Sequence, residues 1–76
     1  MKTAKEMFEE LGYEQTKNHY SIEYYKEKIE WGWKRVYFWI DEKTFYADEN
    51  YESMNIDVQT YKAIHQQMKE LGWLDE

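Results

Sequence analysis

Cysteine and proline are both missing from this 76-residue chain, and glycine occurs only three times, at Gly12, Gly32 and Gly72. The lack of thiols excludes a disulfide staple and a thiolate metal centre, and it fits a reducing compartment. No apolar run approaches the roughly 18 residues that a membrane-spanning helix needs. The opening residues, Met1 to Glu6, contain no apolar signal-peptide core. A cytoplasmic protein with no membrane association is therefore expected. Cations are scarce too: ten lysines and arginines face sixteen acidic residues, for a net charge of −6. That balance opposes nonspecific attraction to nucleic acid or to an anionic membrane.

What the chain has in abundance is aromatic surface. Four tryptophans, eight tyrosines and three phenylalanines make up 20% of it. A single domain spanning residues 1–76 is expected, and one this small buries only about 60% of its unfolded surface. Each ring buries ~150–250 Å², so aromatics can offset a thin core.

The chain is organised around residues 33–41. Taken in twos, as a strand requires, Val36, Phe38 and Ile40 share one purely apolar face. Tyr37 and Trp39 share the other with Trp33 and Arg35. The first face predicts a core and the second an amphipathic surface. Before this strand, Thr3 and Glu6 have the spacing of a capping box, which predicts a helix to about Leu11, stopped by Gly12. Residues 14–19 are polar and read as a connection. A first strand is expected from Tyr20 to about Ile29, with Ile22 and Tyr24 inward and Tyr25 outward. Its apolar parity changes after Tyr24, which predicts a bulge near residues 26–28. Residues 30–33 then supply a turn around Gly32.

A four-residue loop at 41–44 pairs Ile40 with Phe45, Phe38 with Ala47, and Trp39 with Tyr46. Residues 48–57 read as an acidic loop. Six carboxylates against Lys43 alone lie between Asp41 and Asp57. Asp57 is the expected cap of a second helix, with Ile56 and Tyr61 as a hydrophobic staple. Val58, Tyr61, Ile64, Met68 and Leu71 form its expected core stripe, and Gly72 its stop. Glu-Leu-Gly followed by an aromatic residue recurs at 10–13 and 70–73, which reads as one helix ending used twice. The expected fold is α+β in the order α-β-β-β-α, a three-stranded antiparallel meander with two helices packed on one face.

No constellation for catalysis is visible. Asp48, Asn50 and Glu52 fit the first ligand positions of a calcium loop, but Ser53 stands where glycine is needed and Gln59 where a bidentate glutamate is needed. His19 and His65 have no metal or base partner at short spacing, and Ser21 and Ser53 have no nucleophile context. The expectation is a non-enzymatic protein without cofactor or metal.

The surface predicted to matter is the aromatic sheet face, Tyr25, Trp33, Tyr37, Trp39 and Tyr46, together with the acidic residues Asp48, Glu49 and Glu52. Tryptophan and tyrosine dominate interface hot spots, so the expected partner is a protein, either another molecule or a second copy of this chain. Stacking of single-stranded bases would need basic neighbours, for which Lys26, Lys28, Lys34 and Arg35 are near enough, although the net charge opposes it. The acidic segment also permits a mimic of nucleic acid aimed at a cationic groove.

Residues 3–13, from Thr3 to Tyr13, and residues 62–73, from Lys62 to Trp73, resemble a set of small uncharacterised proteins encoded by phages and prophages of Gram-positive bacteria. The strands around Ile22 and Tyr24, and around Val36 and Phe38, resemble them weakly. The resemblance implies a bacterial cytoplasm and an accessory protein acting on a host component. It implies no activity and no site residues.

Overall fold

The computed structural model describes residues 1–28 and 32–74. It is α+β, with two helices and a five-stranded antiparallel sheet. Helix α1, Ala4–Glu10, starts where the capping box places it: the Thr3 hydroxyl accepts from the Glu6 amide at 3.1 Å, and the Glu6 carboxylate accepts from the Thr3 amide at 2.9 Å. Its end is a Schellman closure, with the Tyr13 amide donating to Phe8 and the Gly12 amide to Glu9. Helix α2, Val58–Glu70, closes the same way, through Trp73 to Met68 and Gly72 to Lys69. The repeated Glu-Leu-Gly-aromatic ending is thus one hydrogen-bond pattern used twice.

The strands are β1 (Glu14–Lys17), β2 (Ser21–Lys28), β3 (Gly32–Trp39), β4 (Thr44–Glu49) and β5 (Glu52–Ser53), each paired with its neighbour in sequence. Two of them correct the three-stranded expectation. Residues 14–19 are not only a connection, because β1 pairs along the edge of β2 with Gln15 opposite Tyr24. Its side chains are largely exposed, so no apolar alternation marks it. An Asn18 turn folds it back, the side chain accepting from the Tyr20 and Ser21 amides at 2.8 and 2.9 Å. The acidic residues 48–57 are likewise only partly a loop. Asp48 and Glu49 lie in β4, Glu52 and Ser53 in β5, and Asn50 and Tyr51 make a two-residue hairpin turn with φ of 50° and 66°.

No bulge interrupts β2. Its pairing with β3 is continuous through Tyr25–Arg35, Lys26–Lys34, Glu27–Trp33 and Lys28–Gly32. The parity change arises because Lys26 stays on the inner side, where it makes polar contacts. Its ammonium donates to the Leu11 carbonyl at 2.9 Å, at the end of α1, and lies 4.8 Å from the Tyr13 ring centre. The turn expected at 30–33 falls mainly outside the described residues, as does Ile29.

The β3–β4 register differs from expectation by two residues. Phe38 faces Phe45, Tyr37 faces Tyr46, Val36 faces Ala47 and Trp39 faces Thr44. The loop is residues 40–43, with Lys43 at φ 56°. A two-residue slip leaves every side chain on its face, so alternation cannot detect it. Like rings meet in the observed register: Phe38 and Phe45 stack at 5.7 Å, Tyr37 and Tyr46 at 5.6 Å.

The core lies between the helices and the inner face of the sheet. Ile22, Tyr24, Val36 and Phe38 meet Phe8 and Tyr13 from the α1 region and Ala63 and Ile64 from α2. Helix α2 is capped by Asp57, whose carboxylate accepts from the Thr60 amide at 2.8 Å. Of the expected stripe, Ile64 is buried and Met68 and Leu71 pack against the core, but Val58 and Tyr61 are 65% and 56% exposed, and Thr60, Ala63 and Gln67 are buried instead. The Ile56–Tyr61 staple is also exposed at both ends. The cause is two core tyrosines. The Tyr24 hydroxyl donates to Gln67 and accepts from Gln15 at 3.0 Å. The Tyr13 hydroxyl bonds with the Thr60 side chain. Buried hydroxyls require partners, so polar Thr60 and Gln67, two turns apart, occupy positions that an apolar reading gives to others.

Gly32 opens β3 at φ 82°, and a Cβ there would lie 1.9 Å from the Asn50 Oδ1. That oxygen accepts from the Trp33 amide at 3.0 Å. Gly32→Ala would impose left-handed strain and push Asn50 off Trp33. We expect a loss of about 2 kcal/mol in urea unfolding; a change below ~0.5 kcal/mol would show that neither constraint matters.

Candidate functional site

Alternation along three strands builds the outer face of the sheet. β2 contributes Glu23 and Tyr25, β3 contributes Trp33, Arg35, Tyr37 and Trp39, and β4 contributes Tyr46 and Asp48. The five rings expected on this face are therefore brought together, and among the described residues no helix covers them. Trp39 and Tyr46 are 37% and 42% exposed; on the inner face Tyr24 and Phe38 are fully buried, while Phe45, towards the end of the sheet, is 38% exposed.

Arg35 is the centre of the surface. Its Nε and Nη2 donate to the two Asp48 carboxylate oxygens at 3.1 and 2.9 Å, a two-pronged contact. Nη1 lies 3.8 Å from Glu23. The guanidinium carbon is 5.3 Å from the Trp33 ring centre, 5.6 Å from Tyr46 and 6.0 Å from Tyr37. The hydrogen bond to Asp48 raises the Arg35 pKa further, against partial burial. The rings also brace one another: Tyr37 is 4.8 Å from Trp39, and Tyr25 is 6.3 Å from Trp33. The Ser21 hydroxyl donates to the Tyr37 hydroxyl at 3.2 Å, fixing its tilt.

The three acidic residues singled out from the sequence do not act together. Asp48 is on the aromatic face, bound to Arg35. Glu49 is one position on, so it points to the helix side, with Lys34 and Glu52 as its register partners. Lys34 and Lys26 face that side as well. There the hydrogen bonds from Thr60, helped by the charge of these two lysines, hold the Asp57 carboxyl below its usual pKa. Of the cations considered for base stacking, Lys26 and Lys34 are thus turned away, and Arg35 is engaged by carboxylates.

Tyr51 and Glu23 belong to the surface and were not apparent from the sequence. Tyr51 is 88% exposed at the tip of the β4–β5 hairpin, with its ring edge-on to Trp33 at 5.1 Å. The one signal available was Asn50, a residue that tolerates positive φ and favours two-residue hairpins. Beside Arg35, a concavity of about 430 Å³ opens among Glu14, Thr16, Glu23, Tyr25, Trp33 and Tyr51. Among the described residues, no three carboxylates or imidazoles converge as a metal site requires. Among them, too, no helix is long and apolar enough to cross a membrane.

Fold and surface together define a small α+β protein with an open, ring-rich sheet face organised by one arginine. Comparison of this chain with protein-family models, with curated proteins and with solved structures finds no match.

Proposed function

We propose that this chain is a non-enzymatic binding module that holds a protein partner on the outer face of its sheet. The observation that carries the reading is the exposure of Trp39 and Tyr46 beside an arginine already neutralised by Asp48 and Glu23. Large rings held rigid by neighbours contribute contact area at little entropic cost, and a polar network at their centre gives direction. Two other readings have less support. A single-strand binder would need free cations among the rings, and Lys34 is turned to the other face. An acidic mimic would need its carboxylates aligned, and Asp48 and Glu49 point to opposite sides. A second copy of the chain is disfavoured as partner because each copy carries −6. The working context is an accessory protein of a phage or prophage acting in the cytoplasm of a Gram-positive host.

The test is capture from such a host lysate with the tagged protein and with a Trp39→Ser, Tyr46→Ser variant. We expect the double variant to lose at least tenfold of the captured partner with its far-UV circular dichroism unchanged. Equal capture by both proteins would remove the face from the interface.

A further inference from the structure

The concavity beside Arg35 repeats the chemistry that holds Arg35 itself. At the centre of the face, a guanidinium lies 5.3 to 6.0 Å from three ring centres and is met by the Asp48 and Glu23 carboxylates. At the adjoining site the rings are Trp33, with Tyr51 standing at 88° to it, and Tyr25, inclined at 31°. The carboxylates are Glu14 and Glu23, the latter shared with Arg35. Among the described residues that line it, Arg35 is the one cation, and Asp48 and Glu23 together outweigh its charge. The local balance is therefore negative, in a concavity lined by three aromatic side chains, a setting that attracts a cation.

The geometry points to this concavity as the receptor for a lysine or arginine side chain of the partner polypeptide, an inference that rests on reading the outer face as a protein-binding surface. Its volume, about 430 Å³, accommodates one long side chain rather than a folded element. Partial burial raises the Tyr25 phenol pKa, the adjacent Glu27 carboxylate adds to it, and Glu23 contributes least. The wall formed by Tyr51 is also costly to keep. Its φ is 66°, in a hairpin position where glycine is favoured, and its ring is almost wholly exposed. Asn50, which accepts from the Trp33 amide, fixes that wall against Trp33. A tyrosine that stabilises little of the core yet occupies a strained position is better explained by what it contacts outside the chain.

The experiment is a titration of the ¹⁵N-labelled protein at low salt with a hexa-arginine peptide, with its uncharged hexa-citrulline isostere, and with oligothymidylate. We expect amide shifts concentrated at Glu14, Tyr25, Trp33 and Tyr51, and binding of the citrulline peptide at least tenfold weaker. Glu14→Gln and Tyr51→Gly should each weaken arginine binding at least fivefold, with the thermal midpoint of Tyr51→Gly equal to or above that of the parent. A structural role for Tyr51 alone would instead lower that midpoint and leave affinity unchanged. The inference is overturned by equal binding of both peptides, by no response at these amides, by shifts spread evenly over surface carboxylates and indifferent to Glu14→Gln, or by oligothymidylate binding at the same residues. Capture lost on Trp39→Ser, Tyr46→Ser without an arginine response overturns this site alone. An arginine response with capture untouched overturns the wider reading of the face alone.

Discussion

Phe8→Ala should cost roughly 3–5 kcal/mol of unfolding free energy, the largest loss expected from any single truncation in this fold. The Phe8 ring is fully buried and stacks on Tyr24 with centres 3.8 Å apart and planes 14° from parallel. Its edges meet Tyr13 at 5.4 Å and Phe38 at 6.4 Å. It is thus the side chain through which a seven-residue helix is tied to the sheet. A chain of this length has a total stability on the order of 4–11 kcal/mol, so the loss is a large fraction of the whole, and a parent at the lower end of that range would be largely unfolded by it. Urea denaturation measured by far-UV circular dichroism decides the matter. A loss under ~1 kcal/mol would mean that the stacked rings relax into the space and that α1 is held by other contacts. Trp39→Ser, on the open face, is the internal control and should cost under ~1 kcal/mol.

The second large effect is unfolding in alkali. Burial pushes the phenols of Tyr13 and Tyr24 up from the usual 10 to about 12. The Asp57 and Glu49 carboxylates add to the shift at Tyr13, and those of Glu70 and Glu9 at Tyr24, while hydrogen bonds from Thr60 and Gln15 oppose it. A group with a raised folded pKa favours the folded state fully below its unfolded value. Here the contribution is intact below pH 10 and is lost as the pH rises from 10 towards 12. At about 1.4 kcal/mol per pKa unit, two groups moved by two units each amount to ~5 kcal/mol. We expect two of the eight tyrosines to ionise late and together, coincident with loss of the helical signal. Ionisation of all eight near pH 10 with the signal intact would show that these hydroxyls reach solvent in the folded protein.

These two experiments address the part of the structure that was hardest to read from residue order. Caps were legible because they are local: Thr3 with Glu6, Asp57 before Val58, and the Glu-Leu-Gly endings each depend on neighbours within a single turn. The two-faced character of β3 was legible because Val36 and Phe38 alternate cleanly with Tyr37 and Trp39. The register of β3 on β4 was not, because slipping by two residues conserves the faces and only ring-to-ring matching distinguishes the options. Strand β1 was hidden since an edge strand with exposed side chains carries no apolar signal. The inward side of α2 was hidden for another reason. Its choice of Thr60 and Gln67 over Val58 and Tyr61 is dictated by hydroxyls on residues far away in the chain. At the surface, the five rings followed from alternation, but the neutralisation of Arg35 did not. It depends on Asp48 lying opposite Arg35, and hence on the register.

Every strand pairs with the one next to it in sequence, whereas the Ala4 amide and the Glu70 carboxylate, 2.7 Å apart, join opposite ends of the chain. Hairpins close short loops at small entropic cost and assemble within ~1–10 μs. A helix as short as α1 cannot persist until it has something to pack on. We therefore expect folding to proceed from the middle of the chain outwards and to finish when the two ends meet, with higher φ-values at Tyr37 than at Phe8. The ring-bearing surface is made entirely from these hairpins, so on that order it would be assembled before the helices close the other side.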